Sequence, residues 1–269
     1  MAVTNNLLEQ YQIFIDFDDA IPYQLKDNNI VMIYPIMLQD CYVFLSCLNI
    51  LTIDKNSIGS VEIIQMSYLK YIVTELFKSE QNIYKLGRLL QLCLKMQKPR
   101  TITENNKIFI VDDNSNIKIG EKDFDVIKRI ILFQNILDYD DEYISPDLKE
   151  AMDDMDKLKN NKFVPISLER KFAIISAHTG ITKDEQKKMS YRSHCLLFKE
   201  VCGEVEFSTS RAIALYAGQK TEHWIFKNKK NKFDNYITSV DEYNKSMGGN
   251  GYVKNAANAL SQDLLNKIK

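Results

Sequence analysis

Three observations predict an α+β protein, mostly α, with N-terminal β-hairpins packed with helices and an all-helical C-terminal module. Aromatic and β-branched runs separated by turn formers occur at Tyr11–Phe17 with Ile30–Tyr34, and again around Lys107–Val111. Apolar residues at helical intervals fill much of the stretch from Asp40 to Asn135. Between Ser167 and Gly218, successive apolar-periodic segments each begin after a hydroxyl residue and end at a glycine.

In chain order, Tyr11–Phe17 and Ile30–Tyr34 are expected as an antiparallel pair, joined through Pro22 and the turn-prone Lys26–Asn29, with Pro35 closing the second strand. A helix follows over Asp40–Leu51, with Cys41, Phe44, Leu45, Leu48 and Leu51 on its inner face. After the interruption KNSIGS, Val61–Lys78 reads as one helix through Ile64, Tyr68, Tyr71, Ile72 and Leu76, and Ile83–Met96 as a third. Thr101–Val111 and Ile117–Ile119 straddle the turn formers Asp112–Asn116 and predict a second hairpin, with Lys107–Val111 its clearest strand. Glu121–Asn135 predicts a fourth helix, with Phe124, Ile127, Ile131 and Phe133 or Gln134 inward.

The expected organisation is an α+β domain over 1–146, a charged linker or exposed helix over 147–163, a helical module over 164–228 and a polar tail over 229–269. Within the module, Ser167 opens a helix that Gly180 ends, and Thr182 with Glu185 has capping-box spacing. Ser190 would open a further helix closed by Gly203, and Ser208 another closed by Gly218.

Composition excludes several function classes. At 269 residues, 45% hydrophobic and 26% charged, the chain has ample material for a core. A net charge of −1 gives no global attraction to nucleic acid or an anionic membrane. Met1–Gln10 has neither a basic n-region nor an apolar core, and the apolar runs are too short to span a bilayer, so a cytoplasmic chain is expected. The five cysteines form no C-x-x-C pair and are expected as buried reduced thiols.

No catalytic constellation can be assembled, so a non-enzymatic protein is expected. The histidines, His178, His194 and His223, lack a nucleophile elbow. His178 suits a helix C-terminus and His194 a hydrogen-bonded half-buried position. The acidic cluster Asp138, Asp140, Asp141 and Glu142 lacks the central glycine and final glutamate of a calcium loop, so a solvated helix exit is expected and no metal or cofactor.

The candidate partner-binding residues are aromatic: Tyr216, His223, Trp224 and Phe226, grouped around the single tryptophan. The alternative is a nucleic-acid contact. Phe172–Thr179, Gly180–Thr182 and Lys183–Met189 have helix-turn-helix spacing, with Lys183, Lys187 and Lys188 on the second segment and Lys229 and Lys230 in a later basic run. Asp184 and Glu185 would face phosphates there, so nucleic acid is not the favoured partner.

Several stretches carry a family resemblance: YPIMLQDCYVF at Tyr34–Phe44, KNSI at Lys55–Ile58, QMSYLKYI at Gln65–Ile72, DFDVIKRIILFQN at Asp123–Asn135, AHTGIT at Ala177–Thr182 and EHWIF at Glu222–Phe226. The chain resembles tail-region proteins of phages and prophages of low-GC Gram-positive bacteria. That resemblance implies a tail or baseplate component, or an assembly chaperone, whose partners are tail or baseplate proteins or further copies of itself. It implies the host cytoplasm during assembly, or the virion tail, as location.

Overall fold

The structure, a computed structural model, describes residues 6–115, 117–139, 151–152, 154, 166–218, 223 and 225. It is mostly helical, with two small antiparallel sheets in the first half. Contacts divide the chain into one unit of Met1–Pro146 with Val164–Thr209 and another of Asp147–Phe163 with Ser210–Lys269. That division differs from the expected helical module over 164–228. The linker expected at 147–163 and the tail expected at 229–269 lie largely or wholly outside the described residues.

The chain begins with two short helices, α1 (Asn6–Glu9) and α2 (Gln12–Asp16). The second corrects the strand expected over Tyr11–Phe17. Tyr11, Phe14 and Ile15, at helical spacing, meet the core, while Ile13 and Phe17 stay exposed. The first hairpin therefore pairs β1 (Ile21–Gln24) with β2 (Ile30–Ile33), Ile21 opposite Ile33. Leu25 N–H bonds Asn29 O at 2.8 Å, so inward-bonding positions fall at 21, 23 and 25. Pro22 points its missing donor outward, where no strand follows, and costs no ladder bond.

α3 (Cys41–Thr52) buries Cys41, Phe44, Cys47, Ile50 and Leu51, whereas Leu45, expected inside, is exposed. Its stripe is rotated toward α6 (Glu80–Leu94), its main partner. The single helix expected over Val61–Lys78 is broken into α4 (Val61–Gln65) and α5 (Tyr68–Glu75). Met66 and Ser67 are extended there, and Ser67 Oγ accepts from Lys70 N at 3.2 Å while donating to Glu121 Oε2 at 2.6 Å. A cap bound from two sides outcompetes continuing the helix.

Gly87 sits inside α6 with open space where a Cβ would stand. Gly87→Ala is expected to stabilise the protein by up to about 1 kcal/mol by lowering backbone entropy in the unfolded chain. A urea midpoint that stays put or drops would contradict this placement.

The second sheet has three strands rather than two: β3 (Pro99–Glu104), β4 (Lys107–Asp112) and β5 (Lys118–Gly120), in the order β3-β4-β5. Asn105 and Asn106 both take positive φ, 48° and 59°, making the mirror-image two-residue turn that matches strand twist. α7 (Glu121–Asn135) follows at once, with the bounds expected, and presents Phe124, Ile127, Ile130 and Ile131 to the core. Its buried amides reach back to the N-terminal chain: Gln134 Nε2 donates to Asp19 O and Ile33 O, and Asn135 Oδ1 accepts from Ile36 N at 2.7 Å.

Three helices complete the described fold: α8 (Leu168–Thr179), α9 (Lys183–Gln186) and α10 (Tyr191–Tyr216). α10 is continuous, which corrects the stop expected at Gly203 and the restart at Ser208. A glycine inside a helix costs about 1 kcal/mol, less than nucleating a new helix beyond it. Next to the expected cap, Thr209 Oγ1 donates to Val205 O at 2.9 Å, one turn back within the continuous helix.

The start of α10 is strapped to the first half of the chain. Met37 bridges Ser190, Leu38 N–H bonds Met189 O at 3.0 Å, and Tyr191 N–H bonds Ile36 O at 2.7 Å. Arg192 donates to Phe133 O and Ile136 O, covering carbonyls left open at the end of α7.

Candidate functional site

The α8–α9–α10 segment carries Lys183, Lys187, Lys188 and Tyr216 of the residues singled out by sequence, and its local chemistry is legible. Ser167 Oγ accepts from Arg170 N at the start of α8, and Gly180 ends it in the left-handed region at φ 75°. Thr182 and Glu185 form a complete capping box on α9. His178 is exposed in the last turn of α8, where a helix terminus favours a cation.

Beneath this turn lies a buried polar node. Gln186 is fully buried, and its amide nitrogen faces Phe172 O, Ser176 Oγ and Ile181 O at 2.9–3.2 Å. Its oxygen must therefore accept, so His194 Nε2, 3.2 Å away, carries the proton. His194 is also fully buried, stands edge-on to Phe172 at 5.2 Å, and its Nδ1 has no partner among the described residues. This hydrogen-bonded imidazole holds the module together rather than facing a substrate.

Burial, then the neighbouring Lys171 charge, lowers the His194 pKa below its ordinary value of 6.5. The folded state thus prefers the neutral ring. Its contribution to stability is complete above pH 6.5 and is lost as pH falls through the lower folded pKa. Urea unfolding at stepped pH should show stability falling as pH drops from 6.5 toward the lower folded pKa, and His194→Gln should flatten the fall. An unchanged slope in the variant would rule out His194 as its source.

The nucleic-acid alternative finds a mixed surface. Lys183, Lys187 and Lys188 share the α9 turn, but α9 is only four residues long. Lys183 lies over the Phe172 ring at 5.5 Å, and Lys187 is paired with Asp184 at 2.9 Å. Asp184 is held below the usual carboxylate range by its hydrogen bond to Lys187, and Glu185 by its bonds to Thr182. Two ionised carboxylates on one helical turn repel a phosphate backbone, and a single turn offers little to enter a groove. Lys229 and Lys230 lie outside the described residues.

Of the aromatic candidates, Tyr216 closes α10 and is 96% exposed. The structure places two more apolar side chains beside it in the same turn, Ile213 at 65% and Leu215 at 69% exposed. Sequence reasoning missed both because they follow a helical pattern that could equally have faced a core. His223 is half-buried, and its Nδ1 accepts from Ile225 N at 3.4 Å. Trp224 and Phe226 lie outside the described residues.

The remaining chemistry is sparse. All five cysteines are free: Cys41, Cys47 and Cys93 are buried, as expected, but Cys202 is exposed. Asp138 takes a positive φ of 58° and pairs with Lys199 at 2.7 Å, while Asp140, Asp141 and Glu142 lie outside the described residues. Among the described residues no cluster of three or more His, Cys, Asp or Glu could hold a metal ion, and no helix is long and apolar enough to cross a membrane. No known protein family matches the chain, and neither does any curated protein or solved structure.

Proposed function

We propose that the chain is a non-enzymatic phage tail or baseplate protein, a structural subunit or an assembly chaperone, that works by binding another protein through the apolar end of α10. The observation carrying this proposal is the exposure of Ile213, Leu215 and Tyr216 together on one helical end. Large apolar groups held in water raise the free energy of the unbound surface, and tyrosine is a frequent anchor of protein interfaces. The tail partner follows from the sequence resemblance.

The test is co-purification with the tail proteins of a phage that encodes the chain. Ile213→Asp combined with Tyr216→Asp should weaken binding by about 2 kcal/mol, roughly thirtyfold, with helix content unchanged. A folded variant that binds as well as the parent overturns the proposal. Mass spectrometry of tail particles then separates the two roles, since a structural subunit is present in particles at stoichiometric level and a chaperone only in the lysate.

A further inference from the structure

The outer edge of the second sheet carries side chains that complement their own antiparallel copy. β3 ends the order β3-β4-β5, and among the described residues no strand pairs with its far side. The Asn105–Asn106 turn fixes which groups face that way. A two-residue turn makes Glu104 and Lys107 a hydrogen-bonded pair, so Ile102 with Phe109 and Arg100 with Val111 are bonded pairs too. The N–H and C=O groups of Thr101 and Thr103 therefore point away from β4. Ile108, opposite Thr103, obeys the same alternation, since its N–H turns away from β3 and donates to Glu121 Oε1 at 3.0 Å.

An open strand edge selects an extended backbone, because only that presents acceptors and donors at the matching spacing. The side chains select which one. Arg100, Ile102 and Glu104 share one face of β3, and Thr101 and Thr103 the other. Paired antiparallel with itself about Ile102, the run Arg-Thr-Ile-Thr-Glu sets Arg100 opposite Glu104, Thr101 opposite Thr103 and Ile102 opposite Ile102. The outward N–H of each threonine then meets an outward carbonyl of the second copy. Pro99 falls opposite Asn105 in the turn, where its missing donor costs no ladder bond.

Other registers lose this match. Slipping the pairing by two residues sets Ile102 against Arg100 or Glu104, and in one direction brings Pro99 into the ladder opposite Thr103. Slipping it by four sets Arg100 against Arg100 or Glu104 against Glu104, and directly opposed like charges are destabilising. In the matched register the charges alternate across the joined sheets. Within one chain Arg100 already pairs with Asp113 at 2.5 Å and Glu104 with Lys118, so each new Arg100–Glu104 contact links two such pairs. The edge is open to a neighbour: Thr103 is exposed, and the Arg100 and Glu104 side chains are 62% and 49% exposed. An apolar groove lined by Phe77, Ile83, Leu86 and Leu90 borders Pro99–Thr101, with Ile83 half in water.

We propose that two copies of the chain pair antiparallel through β3, about a two-fold axis at Ile102, and join their three-stranded sheets into one. The contact is a short edge, so the dimer is reversible rather than obligate. It does not involve the α10 end, so either proposal can fail without the other.

The experiment is sedimentation equilibrium of the full chain over a concentration series, with amide hydrogen exchange at low and high concentration. A monomer–dimer equilibrium is expected below about 1 mM protein, with slower exchange at Thr101 and Thr103 in the dimer. Arg100→Glu alone opposes like charges at both ends of the pairing and should weaken the dimer roughly tenfold or more, as should Glu104→Arg alone. Mixing these two single variants restores opposite charges and should recover the dimer as a heterodimer. Thr101→Pro removes a donor that β4 does not use and should also abolish pairing; the charge variants, at exposed positions, carry the test should the proline variant fail to fold. A chain that stays monomeric at about 1 mM would overturn the proposal. So would a dimer without slower exchange at Thr101 and Thr103, or single charge variants that dimerise like the parent. A dimer lost in Ile213→Asp with Tyr216→Asp but kept in the β3 variants would overturn it as well, by moving the contact to α10.

Discussion

Phe44→Ala is expected to destabilise the protein by about 3–5 kcal/mol, whereas Leu45→Ala costs well under 1 kcal/mol. The two residues are neighbours on α3, and simple helical periodicity puts both on the inner face. In the structure Phe44 is fully buried in the core with Ile50, Leu69, Ile72 and Leu89, and Leu45 is 40% exposed. Removing the ring leaves a cavity that close-packed neighbours cannot refill, and the lost contacts add to the lost hydrophobic transfer. Leu45 lies at the rim, so truncating it opens no enclosed cavity and water can fill the space it leaves. Urea unfolding of both variants decides the matter. Comparable losses at the two positions would mean that α3 is rotated from the placement described, and the α3–α6 interface with it.

A second large effect is expected at a polar residue. Asn135→Leu should cost up to about 3 kcal/mol although it adds apolar bulk to the core. Asn135 is fully buried; its Oδ1 accepts from Ile36 N at 2.7 Å and its Nδ2 donates to Ile131 O at 2.9 Å. Ile36 lies in the segment that joins the first hairpin to α3, and its own carbonyl takes the Tyr191 N–H. Leucine leaves the Ile36 amide buried and unpaired, which is far worse than losing an exposed hydrogen bond. Faster hydrogen exchange at Ile36, together with a lower unfolding midpoint, is the expected signature. A leucine variant as stable as the parent would show that the Ile36 amide has another partner.

The capped elements were legible from residue types alone. Ser167, Gly180 and the Thr182–Glu185 box act where the sequence places them, because a cap is a contact between residues a few positions apart. The bounds of α7 were equally plain, since its apolar stripe runs uninterrupted from the glycine before it to the extended Ile136 after it. The elements misread are those with weak or conflicting local signals. YQIFIDF is rich in strand formers yet winds into α2, and the Asn105–Asn106 turn passed unnoticed inside what read as one strand. Of the candidate site, Tyr216 was legible as an aromatic, but Ile213 and Leu215 were not, because periodicity cannot say whether a helix end has a neighbour.

Local chemistry therefore determined the fold class, the caps and the longest amphipathic helices of this chain. Only the tertiary structure decided which way α3 turns, where Val61–Lys78 breaks, and that α10 runs through Gly203. The physical reason is one of range. Capping and periodicity act within a turn or two, whereas the Ser67–Glu121 and Ile36–Asn135 hydrogen bonds join residues 54 and 99 positions apart and form only once the chain has packed.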